Sequence, residues 1–251
     1  MGLSYDRGGS GEPLLLLHPL GGDRQVWRPV WERLTAERDV IAVDMPGFGE
    51  SGLLPGGAAP TPEALARAIA GFAAGLGVER PHVAGISLGA WVALELAKAG
   101  GASSVAALCP AGFWREPLGP RPERARTAAR VLLPALRPLL ATRRGRRAAL
   151  SGAVAHPERV PADAAYALVR AYAKAPGFVD ANLAMRNGVF SGLDGISAPV
   201  TLAWGEHDRL VTRPRRDPTG VRTVVLVDCG HVPTYDDPEQ VARVVLEATG
   251  A

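Results

Sequence analysis

Apolar residues along this chain follow two rhythms. Short runs rich in Leu, Val, Ile and Ala alternate with longer stretches in which apolar positions recur at helical spacing. The short runs predict strands over residues 13–18, 39–44, 82–86, 103–109, 200–204 and 223–227. The longer stretches predict helices over 24–37, 64–76 and 88–98, and a last one after Asp237. Thr61-Pro62-Glu63 sets a capping residue before a proline in the first helical position. Asp237, with Gln240 three residues on, does the same for the last helix. Strands separated by helices imply parallel crossovers, hence an α/β sheet covered on both faces.

Residues 113–195 break this alternation. They are rich in Ala, Leu, Arg and Pro and poor in β-branched residues. A structureless loop of that length would be unusual, so the segment is expected to be a helical insertion into one core made of 1–112 and 196–251. The Gly/Pro/Ala stretch 53–60 is expected to be a loop, and no internal repeat is evident.

Composition narrows the function classes. The chain has 251 residues, 47 % of them hydrophobic, which fits a globular enzyme-sized domain and argues against disorder. No window approaches the roughly 18 consecutive apolar residues of a membrane span. The 14–17 leucine run lacks a basic leader and a cleavage site, so it reads as a buried strand, and a cytoplasmic location with no membrane partner is expected. Two cysteines are too few for a disulfide framework, and no metal-ligand spacing accompanies them. Cys229 lies two residues before His231, but a small buried apolar role at a strand end is the favoured reading. The net charge of +3 is uneven: residues 113–195 carry 14 Lys/Arg and 6 Asp/Glu, a balance of +8, and the rest carries −5. Nucleic-acid binding is not expected, because no recognition signature accompanies these arginines. They read as a solvated helical surface.

The chemistry lies at strand ends. Gly85-Ile86-Ser87-Leu88-Gly89 sits between a predicted strand and a predicted helix, the context a nucleophile elbow needs. A serine hydroxyl is a poor nucleophile unless a base takes its proton, and the base needs a carboxylate to fix its tautomer. Trp204-Gly205-Glu206-His207-Asp208 and Cys229-Gly230-His231 end the two strands after the insertion. Ser87, Asp208 and His231 therefore follow in the order nucleophile, acid, base, all at the carboxyl ends of strands. Glu206 is the competing acid, but Asp208 fits the spacing better. Asp44, in a Pro-Gly turn, reads as structural, and His18 as a structural hydrogen-bonding residue. His207 precedes the wrong strand to be the base, and His82 and His156 lack supporting context. Asp237 reads as a helix cap, while Asp236 beside it is given no role.

With His18-Pro19-Leu20-Gly21-Gly22, Asp44-Met45-Pro46-Gly47-Phe48-Gly49-Glu50-Ser51, the GISLG elbow, WGEHD and GHVPTYDDP in place, the chain resembles the α/β-hydrolase superfamily. The likeness is closest to its esterase, enol-lactonase and C–C hydrolase branch. The resemblance implies an eight-stranded, mostly parallel sheet with a helical cap between strands six and seven. Only residues 3–6 precede the first glycine run, so seven or eight strands are expected. It also implies an oxyanion hole formed by the backbone N–H groups of Leu20 and Leu88. Pro19 has no N–H, but the donor required is on Leu20.

These residues predict two-step acyl transfer on a small-molecule ester or lactone, with no metal or organic cofactor. The alternatives on the same triad are a C–C bond hydrolase, a thioesterase and a cofactor-free perhydrolase or haloperoxidase; Val232 stands where C–C hydrolases usually carry tryptophan. Serine at the elbow argues against the dehalogenase and epoxide hydrolase branches, which use Asp there. A receptor-like member with little turnover is the reading from another class. Trp91, Phe113, Trp114 and Tyr235 are candidate pocket residues, although packing is the favoured reading of each taken singly. Leu132, Leu133, Leu136 and Tyr172 are expected to add an apolar ceiling. A homo-oligomer is left open.

Overall fold

A computed structural model of the protein describes residues 2–120 and 123–250. Residues 121–122, within the predicted insertion, lie outside the described part. Among the described residues seven strands form one sheet: β1 (Tyr5–Gly8), β2 (Pro13–Leu17), β3 (Asp39–Val43), β4 (His82–Ile86), β5 (Ser104–Leu108), β6 (Val200–Gly205) and β7 (Arg222–Leu226). Their order is β1-β3-β2-β4-β5-β6-β7. All neighbours run parallel except β1, which pairs antiparallel with β3. The sheet therefore has seven strands rather than eight. β1, reading YDRG, has no apolar run to announce it. It is an edge strand whose Arg7 forks onto Asp39 at 2.6 and 2.9 Å.

The helices are α1 (Trp31–Thr35), α2 (Pro62–Gly75), α3 (Leu88–Lys98), α4 (Arg124–Leu132), α5 (Leu136–Ala141), α6 (Arg143–Leu150), α7 (Ala162–Lys174), α8 (Phe178–Asn187) and α9 (Pro238–Ala248). The helix expected over 24–37 is split. Residues Arg24–Val30 form a 3-10 segment before α1, because Pro29 lacks the N–H that an α-helical ladder needs. The caps of α2 and α9 are as the sequence predicts: Thr61 accepts from Ala64 N at 3.2 Å and Asp237 from Gln240 N at 2.9 Å.

Period-2 alternation sorts the strand side chains onto two faces. Leu15, Leu17, Ile41, Val43, Val83, Val105, Leu202 and Trp204 pack with α2 and α3. Leu14, Leu16, Val40, Ala42, Ile86, Leu108 and Ala203 pack with the 3-10 segment and α9. The central strands are covered on both faces, so the ends of the parallel strands are where chemistry can be exposed.

Helices α4 to α8 all lie between β5 and β6 in the chain. Leu133, Leu136, Leu140, Leu150, Val160 and Val169 join the α9-side core, while Phe178, Ala181 and Met185 join the other. Leu132 is not part of an inner ceiling: it is 52 % exposed on α4, a helix with no buried residue. The expectation that the arginines here face water also fails at Arg146. It is buried, and its guanidinium donates to the carbonyls of Leu140 (2.8 Å), Ala141 (3.0 Å) and Glu158 (3.1 Å). Three carbonyl acceptors, two at the end of α5 and one in the loop between α6 and α7, make that burial tolerable. No helix among the described residues is long and apolar enough to cross a membrane.

Candidate functional site

The site is built at the carboxyl edge of the sheet. Between β4 and α3, Ser87 has φ 55° and ψ −113°, a conformation rare for a residue with a side chain and costly unless its surroundings impose it. They do. Ser87 N–H donates to Leu108 O at 2.9 Å, and Ser87 O accepts from Trp91 N at 3.1 Å and Ala111 N at 3.2 Å. The two glycines of the motif are needed for close approach. A Cβ on Gly85 would stand 2.3 Å from Gly89 O, and one on Gly89 would stand 2.3 Å from Leu17 O. Without those side chains, β4 turns sharply into α3, and the end of β2 packs onto the first turn of α3.

Asp208 and His231 meet. His231 Nδ1 lies 2.8 Å from Asp208 Oδ2, and both side chains are nearly buried. Asp208 Oδ1 accepts from Leu210 N at 2.8 Å and Val211 N at 3.0 Å. Burial pushes the Asp208 carboxyl up. The hydrogen bond and charge of His231 and the two amides outweigh it, so the group sits below its ordinary value. An ionised Asp208 accepts from Nδ1–H, which leaves Nε2 of His231 as a proton acceptor. Glu206 does not compete: its carboxylate takes Asp228 N at 2.9 Å. His207 points its ring at Asp228 (3.4 Å), away from this pair.

Cys109, which sequence reasoning passed over in favour of Cys229, immediately follows β5. Its Sγ, a carboxylate oxygen of Asp208 and a ring nitrogen of His231 all lie within 4.8 Å of one another. The thiol also receives Gly205 N–H at 3.4 Å. Such a trio could hold a metal by spacing alone. Burial and the neighbouring Asp208 charge push the Cys109 thiol well above its ordinary range, so it stays protonated and serves as a hydrogen-bonding floor. Cys229 is buried in the α9-side core, with its thiol pushed up to about 12 by burial.

Among the described residues, local geometry leaves the N–H groups of Leu88 and Leu20, the two expected oxyanion donors, free of the bonds around them. Leu88 opens α3, so its N–H has no intrahelical acceptor. Leu20 shares a peptide plane with Pro19, whose carbonyl is held by His18 Nδ1 at 2.9 Å and Gly22 N at 2.9 Å. In a trans peptide the Leu20 N–H points the opposite way. His18 Nε2 accepts from Met45 N at 3.0 Å, which fixes the neutral Nδ1–H tautomer. Asp44 is a buried structural hub, as expected. It accepts from Arg24 N at 2.7 Å and Glu50 N at 2.9 Å and pairs with the Arg24 guanidinium.

Burial lowers the pKa of His18, against the opposing pull of the Pro19 carbonyl and of Asp44 and Asp23. Near pH 6 the unfolded chain then binds a proton that the folded chain resists. Stability is full above the ordinary histidine value of about 6.5 and is lost as pH falls below it. The urea midpoint of the wild type is expected to drop between pH 7.5 and 5.5 by more than that of His18→Gln. Equal drops would remove His18 from the cause.

The four candidate pocket residues do not converge. Trp91, Phe113 and Trp114 pack in the α3-side core with Phe190 and Trp204, ring centroids 5.4–6.5 Å apart. Trp91 is 1 % exposed and donates to Glu95 at 3.1 Å. Tyr235 packs against the other core. Tyr172 and Phe178 close over Gly21, where a Cβ would come within 2.8 and 3.0 Å of their rings.

Comparison with known proteins bears on this arrangement. Residues 14–244 match the alpha/beta hydrolase family. The chain belongs to that family. A protein assigned as the carbamate hydrolase RutD, from Azorhizobium caulinodans, is 40 % identical over 97 residues, 39 % of this chain and 36 % of that one. The epoxide hydrolase EphH of Mycobacterium tuberculosis is 29 % identical over 191 residues, 68 % of this chain and 86 % of that protein. The structure of a thermophilic esterase from Thermogutta terrifontis superposes with a TM-score of 0.74 at 26 % identity, over 98 % of this α/β-hydrolase and 92 % of the esterase. The match spans only about a third of the length of the first curated relatives (36 % and 29 %).

Proposed function

We propose that this α/β-hydrolase is a serine hydrolase that cleaves a small carboxylic ester or lactone through an acyl-enzyme on Ser87. The reading is carried by the 2.8 Å Asp208–His231 pair at the same sheet edge as an elbow serine held at φ 55°. Ser87 Oγ adds to the substrate carbonyl as His231 Nε2 takes its proton. The Leu20 and Leu88 N–H groups receive the oxyanion, a term worth several kcal/mol where donors are preorganised. The intermediate collapses, the C–O bond breaks, and His231 returns the proton to the leaving alkoxide. Water repeats the sequence in reverse, releasing the acid and restoring Ser87. The Cys109–Asp208–His231 trio has donors that could hold a metal, but no step here runs through one.

Residues 113–195 act in this reading as a cap. Its support is the contact of Tyr172 and Phe178 with Gly21 on the oxyanion loop, and the bond from Gly177 N–H to Gly47 O at 2.9 Å. Apolar rings over the donor loop favour neutral acyl groups of short to medium length. The likeness to an esterase over nearly the whole chain agrees. The likeness to EphH does not transfer epoxide opening, because the elbow residue is a serine rather than a carboxylate. Two free, buried thiols fit a reducing, cytoplasmic setting.

The test is a panel of p-nitrophenyl esters of rising chain length beside lactones and a C–C hydrolase substrate, with fluorophosphonate labelling in parallel. Short and medium esters or lactones are expected to turn over, and the label to map to Ser87. Turnover of only long-chain esters, or of only the C–C substrate, would overturn the substrate class. A hemiester bearing a distant carboxylate should lose kcat/KM on raising salt while its neutral analogue does not. The exposed arginines attract it over the 8–10 Å or so that physiological salt allows. An equal salt response would remove that attraction.

A further inference from the structure

We infer that Asp236 is a positioning residue for the base, and that it makes the cap loop Ala153–His156 part of the mount on which His231 sits. The inference rests on the triad reading above. Asp236 directly follows the 3-10 turn Pro233–Tyr235 after the histidine, and among the described residues its carboxylate makes no ion pair. It accepts three backbone N–H groups instead. Oδ2 takes Gly230 N at 2.8 Å and Ala155 N at 3.0 Å, and Oδ1 takes His156 N at 2.9 Å.

Gly230 immediately precedes His231. The residue immediately after it, Val232, donates its N–H to Ala153 O at 2.7 Å. The base is thus pinned on both flanks to one stretch of the cap, directly on one side and through Asp236 on the other. The fit leaves no slack. A Cβ on Gly230 would stand 2.7 Å from Ala155 N, and a Cβ on Gly205, at the end of the acid strand, would stand 2.2 Å from Gly230 O. The backbone of residue 230 is therefore clamped between the acid strand and the cap loop. A carboxylate accepting three amides is a stiff fastener, because charge-assisted bonds are about twice as strong as neutral ones.

The chemical consequence concerns rate rather than affinity. A shift of the base by about 1 Å can cost on the order of 100-fold. Removing Asp236 frees the Gly230 flank of the imidazole without touching the oxyanion donors or the Tyr172–Phe178 contact. The cap then does more than cover the substrate: its seating sets the alignment of the base. The sequence motif GHVPTYDDP left Asp236 without a role beside the helix cap Asp237, and the three amides supply one.

The experiment uses the full chain, a p-nitrophenyl ester and a fluorophosphonate. Asp236→Ala is expected to lower kcat about 10- to 100-fold with KM within about twofold, and to slow Ser87 labelling by the same factor. Asp236→Asn can keep its amide oxygen on Gly230 and Ala155 while its NH2 opposes His156 N–H. It is expected to fold and to lose less. In a His231→Gln background Asp236→Ala should cost nothing further, since it acts only through the imidazole. Undiminished kcat in folded Asp236→Ala, a rise in KM in place of the fall in kcat, or a full further loss in the His231→Gln background would each overturn the inference. If Asp236→Ala does not fold, the kcat and KM of Asp236→Asn decide it. Loss of labelling in His231→Gln together with full labelling in the Asp236 variants would overturn this inference alone. Wild-type protein that does not label at Ser87 would overturn the triad reading itself.

Discussion

Ser87→Ala is expected to abolish ester turnover, by about 10⁴-fold or more, and to abolish fluorophosphonate labelling while the fold survives. The loss is large because no other hydroxyl stands at the turn between β4 and α3. The fold should survive because the backbone bonds of residue 87 to Leu108, Trp91 and Ala111 do not involve the hydroxyl. The elbow geometry adds a second readout. Ser87 holds φ 55°, which alanine bears no more easily than serine, whereas glycine bears it without steric cost. Ser87→Gly should therefore be as inactive as Ser87→Ala and at least as stable in thermal melts. A labelled peptide containing Ser51 or Ser103 in place of Ser87 would refute the assignment. Ser51 is already engaged, its Oγ donating to Asp44 O at 2.7 Å and accepting from Ser4 N at 2.9 Å.

His231→Gln is expected to cost at least about 10³-fold in kcat, with KM little changed. Glutamine can approach Asp208 but cannot take a proton from Ser87. Asp208→Asn should be slow but measurable, since asparagine would accept no Nδ1–H from its amide side and would favour the wrong tautomer. Glu206→Gln should be mild, because among the described residues the Glu206 carboxylate serves only the Asp228 amide. Single-turnover assays of the three variants are expected to rank the losses His231→Gln, then Asp208→Asn, then Glu206→Gln. Reversal of the last two would move the acid to Glu206. Near-wild-type rates in His231→Gln would move the base to His207 or His18, which the structure keeps occupied with Asp228 and with Met45 N.

Much of this protein was legible before any fold was built, and what remained hidden had a common cause. Runs such as Leu14–Leu17 and Asp39–Val43 encode strands buried on both faces, because only a sheet covered twice can use apolar residues at every position. GISLG between a strand and a helix encodes the turn, since the close approaches at Gly85 and Gly89 exclude side chains. The order Ser87, Asp208, His231 encodes which strand ends could meet. These are local rules or rules of chain order, and a sequence states both directly.

Tertiary structure alone decided the rest, because those features depend on which distant groups become neighbours. β1 forms from a polar tetrapeptide because β3 offers it a ladder and Asp39 offers Arg7 a partner. Cys109, not Cys229, lies against Asp208 and His231, since the end of β5 abuts the end of β6, whereas Cys229 turns toward α9. Trp91, Phe113 and Trp114 are as aromatic as any pocket lining, yet the sheet face and helix they occupy place them with Phe190 and Trp204 in a core cluster. Asp236 reads in sequence as one acid of a pair before a helix. Its three backbone partners come from segments 6, 80 and 81 residues away, and no periodicity or motif records an amide that far along the chain. Hydrophobic pattern fixes which way a side chain faces, and only the folded packing fixes what it meets there.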